Sequence, residues 1–347
     1  MQIKEITPKV TPLIESDDFF QDTDKLWNTI ADTLEVWFVV QDYTRHHGNI
    51  TNCIISRAIE KLGKDRVVVV VSSGMHRASS QSEMDAMLGP GITQRLRVYS
   101  HNPLRPFPFP RNIYTIGIHS TTPHNFVEIS HAGKMLIPGL ISYNRASVWH
   151  KRGSCDAREQ MEDAALNQID TVIDYCIDHT YNMISSYVGR PNHHYDRYLT
   201  NAKEYYKVEI PRELPDVAIL YPVYKNKDFL LTMNAMTVCH NRKIVRDGGT
   251  VCISSSVPDH MGTHFLFQQP NGLTPAFYDE IFHIPYNKVN IVFQLPKLPE
   301  RAIQEYFKKR IFNLRTTDRL DMFIGSIYGN NATVHKYHGS DMMIGEN

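Results

Sequence analysis

The chain has 347 residues, a hydrophobic content of 42% and a formal net charge of zero. That length supports two ordinary domains and a sizeable core, and the charge balance gives no electrostatic reason to expect nucleic acid or an anionic membrane surface as a partner. No apolar run approaches a membrane span and the N-terminal residues lack the apolar stretch of a secretory signal, so a cytoplasmic protein is expected. Cys53, Cys155, Cys176, Cys239 and Cys252 are odd in number and widely spaced, with no Cys-x-x-Cys. They read as reduced thiols rather than a disulfide framework or a zinc knuckle.

In chain order, residues 34–40 are apolar and β-branched and run into a polar loop at 41–48. Residues 51–62 place Ile54, Ile55, Ala58, Ile59 and Leu62 at helical spacing, with Gly63 as a stop. Residues 67–71 are five consecutive valines, a strand of the buried parallel type. Residues 82–88 read as helix and 113–118 as another strand. A long helix is expected over 156–185, because Met161, Ala165, Ile169, Val172, Cys176 and Met183 form one apolar stripe behind an Asp156/Glu159 capping box. Residues 189–215, rich in Pro, Tyr, His, Lys and Asn, read as a connection. A second α/β pattern follows, with strands at 217–220, 250–254 and 289–294, helical regions near 229–245 and 298–309, and a last short strand at 332–336. Strands alternating with helices predict largely parallel sheets. The expected organisation is two α/β domains, 1–190 for cofactor binding and 216–347 behind a connection at 191–215, with the active site in the cleft between them.

Three clusters carry candidate chemistry. Asp42-Tyr43-Thr44-Arg45 lies just past the first strand, where ligands bind in open α/β sheets. Arg45 can hold a phosphate or carboxylate, and Asp42 can accept from a ribose hydroxyl or orient the arginine; the competing reading is a surface pair closing a loop. Ser72, Ser73 and Gly74 follow the valine strand and can form a nest for a phosphate, with His76 facing the same crevice as a general acid or base. The alternative there is a plain turn with a solvent-exposed histidine. Neither a Walker loop nor Gly-x-Gly-x-x-Gly is present, so an ordinary dinucleotide site is poorly supported. The third cluster is His124, Lys134 ten residues on and His150 sixteen beyond that: a lysine able to attach to a carbonyl or thioacid carbon, and an imidazole suited to nickel. A zinc hydrolase built on these histidines needs a carboxylate base near the metal, and Glu128 alone is close in sequence.

Together these positions resemble the lactate racemase family, whose members carry a nickel-pincer nucleotide. The resemblance runs through Asp42/Thr44/Arg45, Ser73/Gly74/Met75/His76/Arg77, Pro123/His124, Ser130, Lys134, Pro138/Gly139 and His150, in order and spacing, over about residues 35–155. It weakens through Tyr221-Pro222, Asp247-Gly248-Gly249-Thr250 and 258–265. It implies that Lys134 is joined covalently to a pyridinium mononucleotide whose two sulfurs and ring carbon grip nickel, and that His150 is the protein's nickel ligand. It implies that His76 and His124 lie on opposite faces of a 2-hydroxy acid and act as two bases while hydride leaves and returns at the α-carbon. Asp42, Arg45 and the Ser72, Ser73, Gly74 turn would hold the nucleotide and the substrate's anionic end. Enzymes that build the cofactor are the implied partners.

The chain also departs from the family. Members acting on lactate have a Tyr-Gln-x-x-Lys segment after the Tyr-Pro of the second domain; here the aligned positions are Phe229, Leu230 and Met233, with Lys225 and Lys227 out of register. His131 and Ala132 replace glycines before the key lysine, and His46 replaces a proline. The expectation is therefore a racemase or epimerase of a 2-hydroxy acid, for which a longer or polyhydroxylated acid fits as well as lactate. The rival is a non-catalytic protein of the same fold that binds a nucleotide or an organic anion.

Overall fold

The computed structural model describes residues 1–7, 16–32, 34–45, 49–105, 107–124, 129–146, 155–224, 229–239, 243–258, 260–265, 289–307, 314–317 and 319–346. Two six-stranded sheets organise them. In chain order the strands are β1 (Gln2–Ile6), β2 (Val36–Gln41), β3 (Val67–Ser72), β4 (Arg97–Ser100), β5 (Tyr114–Ser120), β6 (Thr171–Ile177), β7 (Met183–Gly189), β8 (Lys207–Glu209), β9 (Val217–Tyr221), β10 (Thr250–Ser254), β11 (Asn290–Gln294), β12 (Leu314–Thr316), β13 (Thr333–His338) and β14 (Ile344–Glu346). The first sheet has the order β4-β3-β2-β5-β6-β7, parallel except for the edge pair β6 and β7. The second has the order β1-β13-β9-β10-β11-β12, parallel throughout. The central strands β2 and β3 are buried at every residue, as continuous apolar runs in parallel sheets must be.

The helix at Ile50–Leu62 buries Ile54, Ile55, Ala58 and Leu62 and ends at Gly63, whose φ of 84° lies in the left-handed region. The helix at Gln81–Leu88 starts in a complete capping box between Ser80 and Glu83.

Three expectations change. The apolar stripe over 156–185 does not form one helix: a helix at Cys155–Leu166 is followed by β6 and β7. The β-branched run Thr171-Val172-Ile173 is fully buried beside β5, and a strand between two partners buries it more completely than one helical face could. The connection at 191–215 is ordered, holding a helix at His193–Tyr205 and β8; Asn192 caps the helix and Tyr195, Tyr198 and Ala202 are its core face. Lastly, β1 pairs with β13, so the first residues join the second sheet instead of the 1–190 unit. Four of its five residues are exposed, which suits an edge strand and left no apolar signal to read.

The two sheets are joined beyond the chain linkage. Tyr224 Oη donates to Gln41 Oε1 at 3.1 Å, Phe265 N–H to the Met75 carbonyl at 2.8 Å and Ile344 N–H to the Tyr206 carbonyl at 2.8 Å. Tyr224 and Met342 from the second half are packed in the first sheet's core. No described helix is long and apolar enough to cross a membrane.

Candidate active site

β2 is central in the first sheet, with β3 on one side and β5 on the other. Their carboxyl ends therefore lie side by side, and the chain leaving each carries a candidate residue: Asp42 after β2, Ser72 to His76 after β3, His124 after β5. Adjacent strands are about 4.8 Å apart, so β3 and β5 are separated by roughly 10 Å with β2 between them.

Asp42 and His76 are in direct contact. Asp42 Oδ2 is 2.8 Å from His76 Nδ1, and both residues are buried. The Thr44 hydroxyl donates to Asp42 Oδ1 at 2.6 Å and lies 3.1 Å from His76 Nδ1. Burial opposes the charge on Asp42, but the charge and hydrogen bond of His76, with the Thr44 hydroxyl and Arg45, outweigh it and hold the carboxyl below its ordinary range. An ionised acid at Nδ1 places that nitrogen's proton toward Asp42 and leaves Nε2 as the basic position. Asp42, read from the sequence as a nucleotide or arginine partner, here has its oxygens engaged by Thr44 and His76.

The turn after β3 is tied to the segment carrying Lys134. Ser72 Oγ donates to the Met135 carbonyl at 2.8 Å, and Gly74 N–H donates to the Gly139 carbonyl at 3.0 Å. These two groups hold Lys134's turn, where the sequence suggested a nest open to phosphate. Ser73 differs: its hydroxyl is buried with no hydrogen-bond partner among the described residues. Gly139 is required by this docking, since a Cβ there would collide with the Met135 carbonyl and Ser72 Oγ.

Comparison with known proteins bears on this arrangement. Residues 19–106 match the model of the lactate racemase N-terminal domain, and that span holds the whole Asp42, Thr44, His76 constellation. Among solved structures the chain is similar to the lactate racemase apoprotein of Thermoanaerobacterium thermosaccharolyticum, at 13% identity and a TM-score of 0.66, over 100% of this chain and 95% of that one. It is also similar to a protein from Thermotoga maritima, at 14% identity and a TM-score of 0.70, over 96% of this chain and 98% of that one. No curated protein matches the sequence. The two-sheet α/β fold is thus that of a lactate racemase apoprotein.

Within this lactate racemase-like frame, Lys134 is half-buried on the short helix Gly133–Leu136. A Cβ on Gly133 would collide with the Glu162 carbonyl, so a glycine lets this turn press against the helix at Cys155–Leu166. Behind it, Ala132 N–H donates to Asp174 Oδ2 at 3.1 Å, and the Tyr195 hydroxyl donates to the same oxygen. Asp174 is fully buried on β6 and burial pushes its carboxyl up to about 7, against the two hydrogen bonds. His131 Nε2 is 3.8 Å from the buried Glu162 carboxylate, and burial holds that imidazole below its ordinary value.

His124 is buried in the loop that leaves β5, and Arg45 ends the short helical turn Tyr43–Arg45. His150, the expected nickel ligand, and Glu128 lie outside the described residues. Among the described residues no group of three or more His, Cys, Asp and Glu is placed to hold a metal ion. The positions aligned with the family's substrate anchor, Phe229, Leu230 and Met233, are core residues at 0%, 5% and 1% exposure, and Phe229 packs on Phe293 with ring centroids 5.5 Å apart. They cannot hold a carboxylate.

Sequence reasoning missed His264. It forms an isolated antiparallel bridge with His76, and the two rings meet edge to face with centroids 5.1 Å apart. Only the faint family likeness of 258–265 pointed there; nothing in the spacing marks a histidine so distant in sequence as a neighbour of His76.

Proposed function

We propose that this protein is a racemase or epimerase acting at the hydroxyl-bearing carbon of a 2-hydroxy acid, with a nickel-pincer nucleotide attached at Lys134. The Asp42–His76 pair carries this reading: a buried, ionised carboxylate fixing one nitrogen of an imidazole is the arrangement of an oriented general base, and a binding protein has no need of it. The match to the lactate racemase N-terminal domain supports it. The residues present suit the cofactor in two respects, a half-buried lysine on a clamped turn and a buried, unpartnered Ser73 hydroxyl one residue from the groups that clamp it.

When bound, the pincer group supplies a hydride acceptor and donor for the substrate's α-carbon. The chain's own work is proton transfer and positioning. His76 Nε2 takes the hydroxyl proton, and Asp42 stabilises the imidazolium that results. His124 serves as the opposing base, so the planar 2-keto acid formed by loss of a proton and a hydride regains both on its other face. Lys134 would hold the nucleotide and His150 its nickel, and Arg45 and Ser73 would take the anionic groups.

The test is peptide mass spectrometry with nickel analysis on chain purified from a host that carries the cofactor's biosynthetic enzymes. A nucleotide adduct on Lys134 with nickel is the expected result. An unmodified Lys134, from a host shown to load a known lactate racemase, overturns the cofactor assignment and leaves an organic-anion-binding protein of the same fold.

A further inference from the structure

The second sheet has a site of its own. Its parallel strands β9, β10 and β11 end at Tyr221, Ser254 and Gln294, and a pocket of about 480 Å³ opens at those ends. Carboxyl ends of parallel strands are where open α/β sheets bind ligands. Its lining combines the polar, uncharged Ser254, Ser255, Ser256 and Gln294 with Tyr221, Pro222, Val223 and Pro296. Ser254 Oγ donates to Gln294 Oε1 at 2.8 Å, which orients the amide with its N–H groups as donors, and Ser255 N–H donates to the Gln294 carbonyl at 3.1 Å. Tyr221 is itself held by stacking on His338, with centroids 5.1 Å apart and an 8° angle between planes.

Two short paths connect this pocket to the His76 site. The chain leaving Tyr221 reaches Tyr224, which hydrogen-bonds to Gln41, the neighbour of Asp42. The chain leaving Ser254 reaches His264 and Phe265, which pair with His76 and Met75. The pocket's walls are therefore extensions of segments that already touch the proton-transfer site.

Resting on the racemase reading, we propose that this pocket receives the hydroxylated tail of the substrate, and that the substrate class is the polyhydroxylated 2-hydroxy acids, several carbons long. The volume is in the range that takes up ligands much larger than lactate. Serine hydroxyls both donate and accept, and the amide donates, so the polar lining matches a row of hydroxyls. The ring of Tyr221 and Pro222 offer an apolar face for the tail's carbon chain. Among the described residues none of the lining carries a charge, which favours a neutral tail over a second carboxylate or a phosphate at this end.

Calorimetric binding tests this on the full chain, with a six-carbon aldonic acid, 2-hydroxyhexanoate and lactate as probes. The first two share chain length and differ in hydroxyls. Expected is a preference of at least about 10-fold for the aldonic acid over 2-hydroxyhexanoate, since a site built on hydroxyl hydrogen bonds rejects the analogue lacking them. In Gln294→Leu that ratio falls toward one. Ser256 is exposed, so Ser256→Trp fills the pocket mouth without entering the core, and it removes the preference for either long acid over lactate. Equal affinities for the two six-carbon acids, or a preference that survives both variants, overturn the proposal. The two readings fail separately. A cofactor-loaded chain that inverts lactate but shows no hydroxyl preference sinks the pocket alone. A chain that prefers the aldonic acid yet never epimerises it sinks the racemase reading alone.

Discussion

At the carboxyl edge of the first sheet, four neighbouring strands are followed by titratable groups: His101 after β4, His76 after β3, Asp42 after β2 and His124 after β5. At the same edge of the second sheet, β9, β10 and β11 end in Tyr221-Pro222, Ser254-Ser255-Ser256 and Gln294, with no charge among the described residues that line the pocket there. The backbone plan is shared, a parallel sheet with connections returning over its faces. The difference teaches that one topology serves two tasks according to what is placed at the strand ends. The first edge buries a carboxylate against an imidazole, the pair on which the proposed proton transfer rests. In the second half Phe229, Leu230 and Met233 are buried core residues, and the strand ends offer neutral hydrogen-bonding groups.

The largest effect that can break this comparison is loss of the lysine. Lys134→Ala is expected to abolish both the covalent nucleotide and all turnover, read by intact mass and by a chiral assay; retained activity would remove the first edge's claim to the chemistry. Next is the base. His76→Gln is expected to lower kcat by about 10²- to 10⁴-fold while nickel content is unchanged, as loss of a general acid–base group does. Equal turnover in wild type and variant would reassign His76 to structure. Asp42→Asn follows, with a fall on the order of 10²-fold or more, because the amide no longer selects the His76 tautomer. A change in KM alone would place Asp42 with the ligand instead of with the histidine.

The smallest effect concerns stability, and it sharpens the contrast between a titrating edge and a neutral one. Asp174 behind the Lys134 turn has its carboxyl raised from 3.8 to about 7 by burial. The folded state therefore holds a proton that the unfolded chain has released, and stability falls as pH rises through that window and levels off above it. His101 works the other way: burial lowers it from 6.5 to about 4, so the unfolded chain binds more protons in that interval and stability rises with pH there. Their slopes oppose each other in the wild type. Asp174→Asn removes one of them, so the Tm of the variant relative to wild type should climb between about pH 4 and pH 7 and stay level above, by a few degrees. A difference that does not change with pH would show that Asp174 is already ionised in the folded protein.

How much was legible follows from where each signal resides. The valine strand and the Ile54 to Leu62 helix are local patterns, and they form as read; the Ser80 capping box is an equally local pattern that the reading of 82–88 passed over. β6 and β7 were misread as helix because Ile169, Val172 and Cys176 satisfy a helical period by coincidence; only pairing with β5 favours the strand. The helix at His193–Tyr205 was hidden because its core face is built from tyrosines, which composition counts as loop-like. In the site, Asp42 and His76 were named from their place after strands, and both lie within residues 19–106, the span similar to the lactate racemase N-terminal domain; Lys134 was named from its spacing to His124 and His150.

By itself, then, the sequence determined the parallel α/β class, the family likeness and the residue types at the first sheet's edge, since these are written in periodicity and short motifs. Tertiary structure decided the partnerships. Asp42 meets His76, Ser72 and Gly74 clamp the Lys134 turn, and His264 arrives from the second half of the chain. Each depends on contacts between residues far apart in sequence, and such contacts exist only once the strands have chosen their neighbours and the register of each pair is set.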